Sequence, residues 1–344
     1  MDYKQDKIRV ICEQLDRLRR YDAGLPLSFE VCPAGYKTGN TPPEGPWTAW
    51  KDGDRFRGMD SHYWFRAHFT APAARPHSKL YFFVSTGYEG DWDSINPQGI
   101  VYLNGELRQG VDINHRYVEL TPGTEYELHA YMYTSLLRDV APLFSAKLIW
   151  VDTDIEALYY DLRVPLDASA CVPAGGEDYW KLLRPLSDAV DLIDLRNAPD
   201  EAFYESASAA RALLGEQLYN RRPDEKGPVV TCVGHTHIDV AWLWTIAQTR
   251  EKAQRSFSTA LRLMEAYPEY IFMSSQPQLL QFVREEAPEL YEIRRGEWDD
   301  KDRATKNTHL RRGKTDSVCI GEGFRHVVKQ NMKSVVKVYH GAAD

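Results

Sequence analysis

The hydrophobic pattern changes period twice along the chain. Residues 7–20 place Ile8, Ile11, Leu15 and Leu18 at helical spacing, with Arg and Lys between them, which predicts an amphipathic helix within an N-terminal segment, 1–24. From about residue 25 to 165 the period falls to two. Short β-branched and aromatic runs, clearest at Tyr63–Phe69 and Leu80–Val84, are separated by turn residues such as Pro42-Pro43-Glu44-Gly45-Pro46 and Pro122-Gly123. Val101-Tyr102-Leu103 followed by Asn104-Gly105 predicts a hairpin, because Asn-Gly supplies the positive φ angles of a tight primed turn. Tyr126, Leu128, Ala130 and Met132, then Ala146, Leu148 and Trp150, alternate as half-buried strands do. Together they predict an antiparallel, jelly-roll-like β-sandwich over 25–168.

Beyond residue 170 the period lengthens to 3.6. Trp180, Leu182, Leu183, Leu186, Val190 and Ile193 mark one helix, and Phe203, Ala207, Ala210, Leu213, Leu214 and Leu218 a second, giving a helical connector over 169–226. Val229–Gly234 is a nearly uniform apolar run entered through Gly227-Pro228, the pattern of a central parallel strand buried on both faces. A long helix from about Thr245 to Tyr267, stopped by Pro268, is followed by a strand at Tyr270–Ser274 and a helix opened by Pro277. Strand, helix, strand, helix is the start of an α/β domain of β/α barrel-like type, 227–298. The tail, 299–344, has no clean period, and its 10 basic and 6 acidic residues reverse the acidic balance of what precedes it.

The 344 residues, 43% hydrophobic and 27% charged, describe a globular chain of about two domains. A net charge of −8 argues against nucleic acid or an anionic membrane as partner. No stretch approaches a membrane span, and Met1–Lys7 does not open a signal peptide. Five widely spaced cysteines, Cys12, Cys32, Cys171, Cys232 and Cys319, contain no C-x-x-C pair, which suggests no disulfide framework and a cytoplasmic home. The 9 Trp, 20 Tyr and 12 Phe suit a large β core and equally a surface on which a sugar ring stacks.

The chemistry concentrates in Gly234-His235-Thr236-His237-Ile238-Asp239-Val240-Ala241-Trp242-Leu243-Trp244. Strand alternation puts His235, His237 and Asp239 on one side at the C-terminal end of the parallel strand, where ligands bind in α/β folds. Imidazole and carboxylate are ligand types that zinc accepts. Spacing alone leaves a second reading open, in which the histidines are hydrogen-bonded loop residues and Asp239 caps the following helix.

The whole segment resembles the opening motif of the catalytic domain of glycoside hydrolase family 38, the zinc-dependent retaining α-mannosidases. Thr249-Arg250-Glu251, Phe272-Met273-Ser274-Ser275-Gln276, Glu286-Ala287-Pro288-Glu289-Leu290 and Gly296-Glu297-Trp298 follow in the family's order. Upstream, Tyr63-Trp64-Phe65-Arg66, Val101–Glu106 and Asp112-Ile113-Asn114-His115 resemble the β-sandwich, galactose-binding-like, that precedes that domain in the bacterial and cytosolic type. The likeness covers about residues 1–298. It implies that His237 and Asp239 ligate Zn2+, that Trp242 is the floor under the mannose ring and that His235 has a supporting role. It also implies mannose-containing oligosaccharides as partners, and the full-length family admits a homo-oligomer.

The family's nucleophilic Asp, its fourth zinc ligand and its acid/base lie further downstream, and nothing before Asp344 matches their surroundings. No catalytic residue is therefore assigned, and an incomplete, inactive chain with an out-of-frame tail is expected. Two other classes stand beside this one. One is a non-catalytic carbohydrate-binding or assembly module with Trp64, Trp92 or Trp150 as its stacking surface. The other is an amidohydrolase-like metal hydrolase, which also begins with His-x-His at the end of a first barrel strand.

Overall fold

The structure, a computed structural model, describes residues 3–36, 40–90, 97–220, 234–268, 270, 272–274 and 276–292. The run expected to form a strand at Val229–Val233 and the tail 299–344 lie outside the described residues. Strands β1 (Arg20–Asp22), β2 (Phe29–Ala34), β3 (Thr48–Trp50), β4 (His62–Thr70), β5 (Ser78–Ser85), β6 (Gln98–Leu103), β7 (Glu106–Val111), β8 (Tyr117–Leu120), β9 (Glu125–Tyr133) and β10 (Ser145–Asp152) form two antiparallel sheets. One has the order β1-β10-β5-β8 and the other β3-β2-β4-β9-β6-β7. A shared core fills the space between them, with Phe65, Leu128 and Ala130 from one sheet against Phe82, Leu148 and Trp150 from the other. The Asn104-Gly105 turn joins β6 to β7 with φ values of 52° and 83°, as a primed turn requires.

The outer face of the six-stranded sheet departs from the expected alternation. In β9, Tyr126, Leu128, Ala130 and Met132 face the shared core, but His129, Tyr131 and Tyr133 on the opposite face are buried as well. β6 is buried at every position. This second face carries its own aromatic cluster of Trp64, Ile100, Tyr102, Tyr131 and Tyr133, and a later helix lies over part of it.

Helices α1 (Tyr3–Leu18), α2 (Thr153–Ser169), α3 (Glu177–Leu192) and α4 (Glu201–Leu214) pack into a second core, with Ile8, Cys12 and Leu15 against Leu158, Leu162 and Leu183. Helix thus begins at Thr153, ahead of the connector's expected start at 169. The Asp152 side chain caps α2 by accepting the backbone N–H groups of Asp154 and Ile155. Pro165 sits inside α2 and breaks the helical signal in the sequence.

The last unit comprises β11 (Gly234–His235), α5 (Ile246–Ala266), β12 (Phe272–Met273) and α6 (Pro277–Glu286), the last with proline in its first turn. β11 and β12 pair in parallel. One stripe of α5 buries Ala253, Phe257, Ala260, Leu261 and Met264 against Phe272, Leu279, Leu280 and Val283. The opposite stripe, Gln248, Glu251, Lys252, Arg255 and Thr259, is polar and lies against the sandwich. The approach is close: a Cβ added to Gly110 of β7 would stand 2.5 Å from the Arg255 carbonyl oxygen.

Candidate functional site

β11 stops at His235, so the strand alternation expected to put His235, His237 and Asp239 on one face does not extend to the last two, which follow in a loop. Ile238 is 4% exposed and sits in the core beneath α5 and α6, which anchors the loop. The residues flanking it turn outward. His237 Nε2 lies 3.1 Å from Asp239 Oδ1, with the two side chains 73% and 44% exposed. His235 is exposed on β11. Among the described residues no group of three or more His, Cys, Asp and Glu side chains converges as a metal cage would.

The loop is fixed from the side of α5. Thr245, not Asp239, is the N-cap of that helix, since its hydroxyl accepts the Gln248 N–H at 3.1 Å. The capping alternative for Asp239 is thereby set aside. Thr249 Oγ donates to the Thr245 carbonyl at 3.0 Å and accepts the N–H of Ala241 at 3.1 Å, which holds Ala241 in a left-handed conformation, φ 63°. The indole N–H of Trp244 donates to the Asp239 carbonyl at 3.2 Å and closes the loop on itself. Trp242 stands edge-on to Trp244, 5.6 Å between ring centroids, and is 55% exposed.

Two of the tryptophans considered for a stacking surface are core residues instead. Trp64 is 2% exposed and Trp150 0%, so neither can meet a sugar. Trp92 lies outside the described residues.

A polar network under the start of α5 was not anticipated. The Tyr131 hydroxyl donates to Glu251, which is fully buried, and lies 2.5 Å from His62 Nδ1. The Gln248 amide donates to Asp60 at 2.6 Å, and the Tyr36 hydroxyl donates to the Ala247 carbonyl. Burial pushes the Tyr36 and Tyr133 hydroxyls well above their ordinary range, and the Glu251 charge adds to this in both. A cleft of about 570 Å³ opens here, lined by Tyr36, Asp60, His62, Tyr63, Thr245 and Ala247. The signal available in the sequence was the helical spacing of Gln248, Glu251, Lys252, Arg255 and Thr259, which reads as a solvated stripe until a partner surface is known.

Residues 228–298 match the glycosyl hydrolases family 38 N-terminal domain. Alpha-mannosidase G of Dictyostelium discoideum is 27% identical over 266 residues, covering 70% of this chain and 23% of that protein. Alpha-mannosidase 2C1 of Mus musculus is 34% identical over 149 residues, 43% of this chain and 14% of that protein. The alpha-mannosidase of Saccharomyces cerevisiae is 33% identical over 161 residues, with the same two coverages of 43% and 14%. The chain spans about a quarter or less of the length of these curated relatives.

Proposed function

From a chain whose residues 228–298 belong to the N-terminal domain of glycosyl hydrolase family 38, we propose the N-terminal part of a zinc-dependent, retaining alpha-mannosidase. The whole protein hydrolyses terminal α-mannosidic bonds of mannose-containing oligosaccharides, in mannose and oligosaccharide catabolism in the cytoplasm. In this reading the sandwich is the jelly-roll-like, galactose-binding-like domain, and β11-α5-β12-α6 opens the β/α barrel-like catalytic domain. No helix among the described residues is long and apolar enough to cross a membrane.

The observation that carries the proposal is the convergence of His237 and Asp239 beyond the end of a parallel strand. An imidazole nitrogen and a carboxylate oxygen suit zinc chemically, and two ligands at about 2.0–2.1 Å from a tetrahedral ion stand about 3.3 Å apart. His237 Nε2 and Asp239 Oδ1 now hydrogen-bond at 3.1 Å, a separation close to that edge, and a shared ion would replace that bond. His237 and Asp239 would hold the ion from one side, with His235 supporting them. When bound, zinc supplies a Lewis acid that engages sugar hydroxyls and supports the distorted ring of the transition state.

Trp242 offers its exposed indole to the apolar face of the sugar. Retention of configuration needs two carboxylates, one as nucleophile and one as acid then base. Among the described residues no carboxylate joins the His237–Asp239 pair, so this chain by itself is proposed to bind without hydrolysing.

Elemental analysis of the purified 344-residue protein after extensive dialysis tests the reading, beside His237→Ala and Asp239→Ala. Zinc retained by the wild type and lost from both variants is the expected result. Equal zinc in all three proteins overturns the assignment.

A further inference from the structure

The polar stripe of α5 contains a lysine that has no place in the metal chemistry. Lys252 is 5% exposed, and its ammonium donates to Gln98 Oε1 of β6 at 2.7 Å. Gln98 is itself 2% exposed, and its oxygen also accepts the Tyr133 hydroxyl at 3.2 Å. The same ammonium stands 4.3 Å from the centroid of the Trp244 ring. Burying a cation is costly unless strong partners replace water, and a fixed amide oxygen with an indole face supplies such partners. From Trp244 the contact continues to the carbonyl of Asp239.

We propose that the β-sandwich positions the His237–Asp239 pair through a relay of side chains, Tyr133 and Gln98 to Lys252 to Trp244, that ends on the Asp239 backbone. Gln98, Lys252 and Trp244 are positioning residues, and their link to a metal site rests on the function proposed above. A cation over the indole face fixes the ring and polarises its N–H, which strengthens the hydrogen bond to the Asp239 carbonyl. Gln98, held between Tyr133 and Lys252 on the six-stranded sheet, fixes the ammonium in turn, so the sheet sets where the backbone of Asp239 stands. Thr249 of α5 tethers Ala241 separately, and the loop between Asp239 and Trp244 is thereby held both from α5 and by its own tryptophan.

The experiment is solvent exchange of the tryptophan indole protons in the full-length protein by NMR, with the Trp244 resonance assigned through Trp244→Phe. In the wild type the Trp244 indole proton is expected to exchange about tenfold or more slower than in the denatured chain. Lys252→Met and Gln98→Leu should bring it back toward the denatured rate, and Lys252→Arg should restore protection. A wild-type Trp244 proton that exchanges at the denatured rate overturns the relay, and so does an unmoved rate in a folded Lys252→Met protein. Should Lys252→Met not fold, Gln98→Leu carries the same test, and a wild-type proton at the denatured rate overturns the relay without any variant.

Zinc titration separates this inference from the functional reading. Lys252→Met should weaken zinc binding by about tenfold at most, since it acts on the ligand only through Trp244. Identical zinc uptake by the wild type and His237→Ala overturns the metal reading alone, and the exchange rates still judge the relay.

Discussion

The guanidinium of Arg255 on α5 meets the carboxylate of Asp112, which follows β7, and the two side chains are only 12% and 3% exposed. Asp112 also accepts the backbone N–H groups of Asn114 at 2.8 Å and His115 at 2.7 Å. The pair therefore joins the sandwich to the α/β unit inside a shell of further donors. Burial alone would raise the Asp112 carboxyl, but Arg255 and His115 outweigh it and hold the group well below the usual carboxylate range.

Removing one partner leaves the other buried and uncompensated. Asp112→Ala is expected to cost about 3–5 kcal/mol. Urea denaturation followed by circular dichroism checks this, and separate transitions for the two units are expected in the variant. Because the folded value is depressed, the stabilisation is complete above the unfolded carboxyl value near 3.9 and disappears only as pH falls through the lower folded value. The variant should thus lose most of its sensitivity to acid in that range.

Histidines 62 and 129 predict a second pH dependence, of opposite origin. Burial lowers both, outweighing the upward pull of Asp60 on His62 and of Glu127 on His129. Glu251 and Tyr131 also face His62, while His68 and Arg66 lower His129 further. The unfolded chain takes up protons first as pH falls, so stability is full above about 6.5 and declines below it, by at most about 1.4 kcal/mol per pH unit for each histidine. Urea midpoints between pH 7.5 and 5.5 should fall in the wild type, fall less steeply in His62→Gln, and flatten when His129 is replaced as well.

The tryptophans separate stability from binding. Trp64→Ala empties a buried core position and is expected to cost about 3–5 kcal/mol. Trp242→Ala, at an exposed ring, should change stability by no more than about 0.5 kcal/mol while abolishing quenching of intrinsic fluorescence by mannose oligosaccharides. Thermal melts and a fluorescence titration of both variants check the pair.

Much of the architecture was legible because periodicity reports burial directly. The hairpin at Asn104-Gly105 and the first-turn Pro277 followed from local backbone chemistry, whereas the cap at Thr245 emerged only from the structure. Helix α2 was not legible, because Pro165 interrupts its signal. The double burial of β6 and of the second half of β9 was not legible either, since it depends on a helix distant in sequence. His237 and Asp239 could be paired from their spacing and from the family resemblance. Lys252 and Gln98 could not, because a polar residue on a helix or strand is ordinarily solvated, and only the docked surfaces turn them inward.

The aromatic outer face of the six-stranded sheet has a consequence in time. Trp64, Tyr102, Tyr131 and Tyr133 leave the ribosome well before α5, which lies over part of their face. At synthesis rates of about 5–20 residues per second, the interval between Asp152, the end of the last sandwich strand, and Ile246 lasts on the order of 5–20 seconds. For that period a folded sandwich presents an apolar, aromatic sheet surface to the cell, the kind of patch that chaperones and neighbouring nascent chains engage. Substitutions that weaken the docking of α5 would thus leave that aromatic face open after synthesis as well.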